Sequence, residues 1–327
     1  NSGCVILVDE RNERLVAGAS KGELPEDFDH LNSLPPQAVR DWIHFHENMQ
    51  GPVHAGAGQD PAKNVYHRLL EQSPGCELFC RALFQSASAL SIPLKAKDRV
   101  IGALTLMRNQ NAGDYQSRAI KGLIILASNA ARAIENARLH NNLRSDYLNI
   151  IKALSNAVEA KDPYTRGHSD RVVRYTQAIG GALGLPVSDL EKLEVASILH
   201  DIGKIGISDQ ILLKPAGLSD DEYDLMKQHP IIGDRILQPI NSLDEVRLWV
   251  YQHHERHDGL GYPEGLKGDN IEFQARILIV AEVFDALVTE RAYKKAWPLP
   301  TVIDYLGDHA GSHFDPDVVK IFCEILS

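Results

Sequence analysis

Several classes of protein are excluded by what this 327-residue chain lacks. Its four cysteines, Cys4, Cys76, Cys80 and Cys323, are too few and too scattered for a disulfide scaffold, which fits a reducing, cytoplasmic compartment. Cys76 and Cys80 lie four residues apart, but no second cysteine pair completes a zinc site, so they read as buried thiols. No apolar run approaches the ~20 residues that span a bilayer. An excess of basic charge is also missing: Lys+Arg against Asp+Glu is 16 against 16 in residues 1–150 and 18 against 28 in residues 151–327. The whole net charge of −10 therefore lies in the second half, which disfavours a nucleic-acid polymer as partner. A small anionic substrate still fits if metal ions bring the positive charge. The chain opens at Asn1 without Met or a charged-then-apolar leader. A piece of a longer protein is expected, and an upstream membrane anchor stays open.

What is present divides in two, as the length suggests. Residues 3–9 and 15–18 are apolar segments around the polar stretch Glu10–Arg14, and residues 88–107 hold two more around the charged turn Lys95–Arg99. Both patterns predict β-hairpins, and with helical pieces between them they predict an α+β sensory-type domain. From Gln116 to Asp162 there is no proline and one glycine, Gly122, while apolar residues recur at helical spacing. A continuous helix here would be ~70 Å long, too long for one small domain, and is expected to connect two. Residues 140–142 are polar all round, which predicts a break or weakly packed segment at the domain boundary. The small residues Ala127, Ala130, Ala133 and Ala137 also allow a coiled-coil seam between two copies, and an ordinary packed helix followed by a second one stays open. Beyond residue 150 the pattern is helical, punctuated by glycine and proline, so the second domain is predicted to be all-α.

The chemistry concentrates in that second domain. Six of the fourteen histidines fall in residues 151–258, most beside acids or each other: His168, His200 before Asp201, His229, the run His253, His254 and Glu255, and His257 before Asp258. One histidine alone means little, but five or more with adjacent acids suit borderline divalent ions, and a carboxylate can bridge two of them. Such a centre activates water near neutrality and neutralises charge developing on a phosphoryl group. Lys204 follows Asp201 by three residues, on nearly the same helical face, where an ammonium can hold a phosphate oxygen. The glycine-rich stretch 258–268 lacks the strand–turn–helix context of a phosphate-binding P-loop and reads as a rigid loop near the metals.

The segments EAKDPYTRGHSDRV (159–172), HDIGKIGI (200–207), KQHPIIG (227–233), HHERHDGLGYP (253–263), ARILIVAEVFDAL (275–287) and HFDP (313–316) resemble those of the HD-GYP family, a branch of the HD phosphohydrolase superfamily. The resemblance covers about residues 150–327. It implies a metal-dependent phosphodiesterase that opens the bacterial second messenger cyclic di-GMP to linear pGpG, with GMP after a second cut, or that acts on 3′,3′-cyclic GMP-AMP. It implies metal ligands at His168, His200, Asp201, His229, His253 and His254, with Asp201 as the bridging carboxylate. The family's last ligand is an Asp where this chain has Glu282, one methylene longer, and Asp285 is the reserve candidate there and in substrate binding. Family members with three metals carry a glutamate about where Tyr164 sits, so two divalent ions, iron or manganese, are expected. Lys204, Arg291 and Lys294 would grip substrate phosphates, with Tyr262 inside a loop that in the family also contacts protein partners.

Residues 1–138 resemble a GAF domain in the hairpins and in the helix ending LASNAARAIENARL. No Asn-Lys pair occurs, so the motif of cyclic-nucleotide-binding GAF domains is not visible. A small ligand is expected there without a name, and His44, His46, His54 and His67 read as exposed residues of a polar region. The sequence therefore predicts a GAF-like sensor over 1–138, a connecting helix over 116–150, and an HD-GYP domain over 150–327, dimerising through the helix. A catalytically silent cyclic-dinucleotide receptor, impaired by Glu282, is the competing reading from another class. A phosphohydrolase of ordinary nucleotides would leave the Gly261-Tyr262-Pro263 loop unexplained.

Overall fold

A computed structural model describes residues 2–9, 12–21, 34–48, 53–56, 88–108, 115–162, 167–290 and 295–326. Cys76 and Cys80, as well as His67, lie outside the described residues. The chain forms two compact units, residues 1–143 and 144–327.

Among the described residues the first unit is built on a five-stranded antiparallel sheet of β1 (Ser2–Asp9), β2 (Arg14–Lys21), β3 (Val53–Gly56), β4 (Ser88–Ala96) and β5 (Arg99–Arg108), in the order β2-β1-β5-β4-β3. Both predicted hairpins form. In the second, the tight turn between Ala96 and Arg99 uses Lys97 at φ 53°, the positive φ that two-residue hairpin turns require. Period-two alternation sends Cys4, Ile6 and Val8 to one face and Val5 and Leu7 to the other. The latter pack with Leu90, Leu94 and Ile101 against the start of α2 (Ser117–Lys161), through Ala127 and Ala131.

That helix runs unbroken for 45 residues, about 68 Å. Of the two forms the expectation took, the polar stretch 140–142 is the weakly packed segment and not a break: residues 139–147 are all exposed, and nothing there removes a helical hydrogen bond. The alanine stripe also divides. Ala127 is buried and Ala130 packs on the sheet, whereas Ala133 and Ala137 are exposed.

His46 is the second departure from expectation. His44 is exposed as predicted, but the four-residue spacing of Trp42 and His46 in α1 (Pro36–Glu47) puts both on the buried face. The His46 Nδ1–H donates to the Trp42 carbonyl at 2.8 Å, and Nε2 lies 3.4 Å from Ser91 Oγ. Burial, helped by the nearby Lys95 charge, pushes its pKa down to about 4.

Among its described residues the second unit forms helices and no strand. The end of α2 joins α3 (His168–Ala182), α4 (Val187–Leu199), α5 (Asp209–Leu212), α6 (Asp220–Met226), α7 (His229–Leu237), α8 (Asp244–Gln252), α9 (Phe273–Val288), α10 (Leu299–Asp308) and α11 (Pro316–Leu326). Their apolar faces share one core that includes Val172, Leu199, Trp249, Val250, Leu278 and Phe284. No helix among the described residues is long and apolar enough to cross a membrane.

The His46 environment generates a pH prediction. A histidine held neutral to about pH 4 when folded, but protonating near 6.5 when unfolded, lets the unfolded state bind the proton first. Its contribution is complete above pH 6.5 and is lost as pH falls towards 4. Native-state hydrogen exchange of β4 and β5 amides should show about 2 kcal/mol less protection at pH 5 than at pH 7 from this group. His46→Gln should remove that difference, and an unchanged difference would refute the assignment.

Candidate metal centre

The candidate ligands sit at helix ends, where the chain turns and a side chain can point across the bundle. His168 opens α3, His200 caps the C-terminus of α4 with Asp201 next, His229 opens α7, and His253 caps α8 with His254 next. Glu282 and Asp285 come from the middle of α9. After Asp201 the chain enters a 3-10 turn, Ile202–Gly206, that packs directly on α7. A Cβ on Gly203 would stand 1.8 Å from the His229 carbonyl oxygen. Only glycine permits this approach, which brings Asp201 to His229.

The hydrogen bonds set the tautomers. Nδ1 of His200, His229 and His253 faces the carbonyl three residues earlier: Ser197 at 2.8 Å, Met226 at 2.9 Å and Val250 at 2.5 Å. Carbonyls only accept, so each Nδ1 carries the hydrogen and each ring, when neutral, turns a bare Nε2 inward. His168 does the same through Asp285, whose Oδ2 accepts from Nδ1 at 2.7 Å. The inward nitrogens then crowd, with His168 Nε2 3.2 Å from His200 Nε2 and His229 Nε2 3.1 Å from His253 Nε2. Two bare nitrogens at that distance repel, and a cation between them, or at His200 a proton, removes the repulsion.

Asp201 lies between the two pairs. Its Oδ2 is 3.4 Å from His200 Nε2 and its Oδ1 is 3.7 Å from His229 Nε2. Oδ1 is buried without a hydrogen-bond donor among the described residues, as expected of an oxygen that faces a cation. Two groups result, His168, His200 and Asp201, and His229, His253 and His254, each with ligand atoms within 4.8 Å of one another. Nitrogen donors joined by a shared carboxylate fit a pair of borderline divalent ions.

Electrostatics agree with this reading. Burial lowers the pKa of His168, takes His229 to about 4, and holds His253 and His254 well below the usual range, aided by neighbouring rings. They are neutral, the form that ligates. His200 differs, because burial is outweighed by Asp201 and its pKa rises to about 9. A proton and a cation therefore compete for its Nε2. Asp201 is held ionised against its burial by Lys204 and His200.

A cavity of about 410 Å³ opens over the centre, lined by Asp201, Lys204, His229, His254, Tyr262 and Glu282. Lys204 Nζ donates to Asp201 Oδ2 at 2.8 Å and lies 3.5 Å from Asp162 Oδ2. Glu282, despite its extra methylene, reaches the site, with Oε1 3.8 Å from His254 Nε2. Tyr262 stacks on His254, ring centroids 4.8 Å apart, and burial raises its pKa so that the phenol stays protonated.

Asp285 is placed otherwise than expected. It does not line the cavity, and it is fully buried behind His168, with Arg171 Nε at 2.7 Å from its Oδ1 and an Arg171 guanidinium nitrogen at 3.0 Å from its Oδ2. It orients His168, as carboxylates commonly do for metal-ligating histidines, rather than serving as reserve ligand or substrate contact. Arg291, Lys294 and Tyr164 lie outside the described residues.

Reading by motif also passed over residues that hold the site. Glu255 is fully buried and accepts three backbone N–H groups of the glycine-rich loop, from Glu264, Gly265 and Leu266 at 2.8, 3.2 and 2.9 Å. Its position directly after His254 was the available signal. Arg171, three residues after His168 on α3, is the other, found only through its partner on α9.

Residues 152–318 match the HD domain family model and residues 1–136 the GAF domain model. The chain belongs to the HD domain family, and both resemblances read from the motifs are borne out. HD domains depend on metals, and the two histidine-rich groups are of the kind that holds them. Among relatives, a "Cyclic di-GMP phosphodiesterase response regulator RpfG" of Xanthomonas campestris is 40% identical over 171 residues, 52% of this chain and 45% of that protein. A "3'3'-cGAMP-specific phosphodiesterase 3" of Vibrio cholerae is 37% identical over 55% of this chain and 40% of that protein. A cyclic di-GMP phosphodiesterase of Pseudomonas aeruginosa is 32% identical over 77% of this chain and 63% of that protein. The chain thus spans less than half of the first two relatives.

Asp285→Asn tests the orienting role. It leaves His168 in place but removes the anion that fixes its tautomer, and should weaken Mn(II) binding roughly 10- to 100-fold in a dialysis titration. Binding unchanged within about two-fold would contradict the role.

Proposed function

We propose that this chain is a metal-dependent phosphodiesterase that opens cyclic di-GMP, governed by its N-terminal GAF domain. The observation that carries the reading is the place of Asp201 between two sets of inward-facing histidines, 3.4 Å from His200 Nε2 and 3.7 Å from His229 Nε2, beneath a cavity that also holds the ammonium of Lys204. The relatives named for cyclic di-GMP or 3′3′-cGAMP support a cyclic dinucleotide as substrate.

In this reading His168, His200, Asp201, His229, His253, His254 and Glu282 hold two divalent ions, iron or manganese. Bound there, they supply an acidified water and positive charge opposite the phosphoryl oxygens. The protein's own residues do the rest. The neutral rings present bare Nε2 atoms, and Asp201 keeps its charge between them. Lys204 opposes the negative charge that grows on a non-bridging phosphate oxygen as water oxygen bonds to phosphorus and the bond to the 3′-oxygen breaks. That oxygen leaves with a proton drawn from water. Protonated Tyr262, flat against His254, forms a wall on which a guanine can lie, and Arg291 and Lys294 are assigned the remaining phosphate contacts. The product is linear pGpG, and GMP if a second cut follows.

A homodimer through α2 completes the proposal. Leu139, Leu143, Tyr147, Ile150 and Leu154 recur every three or four residues and are all exposed, Leu143 at 67% and Ile150 at 62%. Such a stripe suits the same stripe on a second copy.

Turnover with Fe(II) or Mn(II) under anaerobic conditions should yield pGpG from cyclic di-GMP. Asp201→Asn should lower the rate by at least about 10³-fold, and Lys204→Met should lower kcat/KM by about 10²-fold. Loaded protein that cuts neither cyclic di-GMP nor 3′,3′-cyclic GMP-AMP would sink the reading. Light scattering should report twice the 36.2 kDa chain mass, and Leu143→Lys with Ile150→Lys should halve it. A wild-type monomer at high concentration would rule the dimer out.

A further inference from the structure

Glu159 and Lys161 occupy the last turn of α2, two residues and so about 200° apart around the helix. Each grips a different ligand-bearing segment. On one side the Glu159 carboxylate accepts from Gly167 N at 2.7 Å, Ser169 N at 3.1 Å and Ser169 Oγ at 2.8 Å. Ser155, one turn earlier, adds an Oγ–Oγ contact of 3.1 Å with Ser169. These N–H groups belong to the first turn of α3, where no intrahelical acceptor exists, and His168 stands between them. On the other side Lys161 Nζ donates to the carbonyls of Ile207 at 2.6 Å and Ile205 at 3.2 Å, and lies 3.3 Å from Asp209 Oδ1. Those carbonyls flank the end of the 3-10 turn that follows Asp201 and carries Lys204. Neither side chain lines the cavity.

Resting on the two-ion reading above, we propose that Glu159 and Lys161 are positioning residues for the His168, His200 and Asp201 half of the centre. Glu159 sets where His168 projects, and Lys161 sets the turn that follows Asp201. Their relative placement at one helix end fixes whether the three ligand atoms close on one cation. The other half is held differently. His229 and His253 are anchored by the Met226 and Val250 carbonyls and His254 by the Tyr262 stack, none of which involves the last turn of α2. Loss of the Glu159 grip therefore acts on the ion of the His168 half and spares the other, whereas loss of the Lys161 grip, which moves the turn after the shared Asp201, acts on both and more strongly on the His168 half.

The test is Mn(II) binding to the full chain by equilibrium dialysis, with melting temperature measured in parallel. Wild type should bind two ions. Glu159→Ala should weaken one of them about 10- to 100-fold and leave the other within two-fold, and Lys161→Met should weaken that same ion about 10- to 100-fold and the other by less. Glu159→Gln, which keeps one accepting oxygen, should weaken the same ion less, and Lys161→Arg, which still donates to both carbonyls, should restore it. Unchanged binding at both sites overturns the proposal, as does equal loss at both with a lowered melting temperature. Wild-type protein that holds no ion at the His168 half overturns it too. The readout needs no substrate, so protein that binds two ions yet cuts no cyclic dinucleotide defeats the phosphodiesterase reading and leaves this one standing.

Discussion

Four imidazole Nε2 atoms and one carboxylate, buried together and facing inward, form the constraint on which the second unit depends. Each ring spends its Nδ1 hydrogen outward, on a carbonyl or on Asp285, so apart from the proton that His200 can take nothing within the group donates between the nitrogens. A buried polar atom without a partner is costly, and here the inward-facing atoms gather in two groups, each with ligand atoms within 4.8 Å of one another. The fold tolerates the arrangement because the carbonyls and Asp285 fix the rings from behind, and because positive charge supplied at the centre turns repulsion into ligation. Lys204 and protonated His200 satisfy part of the same demand.

Precision in such a site comes from how its helices end. His168, His200, His229 and His253 all lie at helix boundaries, where the direction of the chain is set by a few local contacts rather than by a long packed face. Gly203 lets the turn after Asp201 touch the His229 backbone. Glu255 ties the loop bearing Tyr262 to the chain beside His254. The helix that begins on the N-terminal sheet ends at Glu159 and Lys161, against the segments bearing His168 and Lys204.

Much of this was legible in the sequence. The alternation in residues 3–9 and 88–107 specified the hairpins, and the histidines with their neighbouring acids marked the residues that the bundle brings together. What escaped detection depended on contacts between distant segments. Asp285 and Arg171 are 114 positions apart, and no local pattern distinguishes a carboxylate that ligates from one that orients a ligand. His46 looked like one of several scattered surface histidines until the face of α1 was known. Residues 140–142 pointed to a break or a weakly packed segment, and only the second formed, because a solvated helix needs no apolar face to keep its backbone bonds.

The central claim is that Asp201 joins two cation sites, and anomalous X-ray diffraction from crystals grown with Mn(II) tests it most directly. The account predicts two peaks, one among His168, His200 and Asp201 and one among His229, His253 and His254, with an Asp201 oxygen facing each. A single peak that leaves Asp201 out, or ions bound elsewhere with these histidines hydrogen-bonded to water, would contradict it.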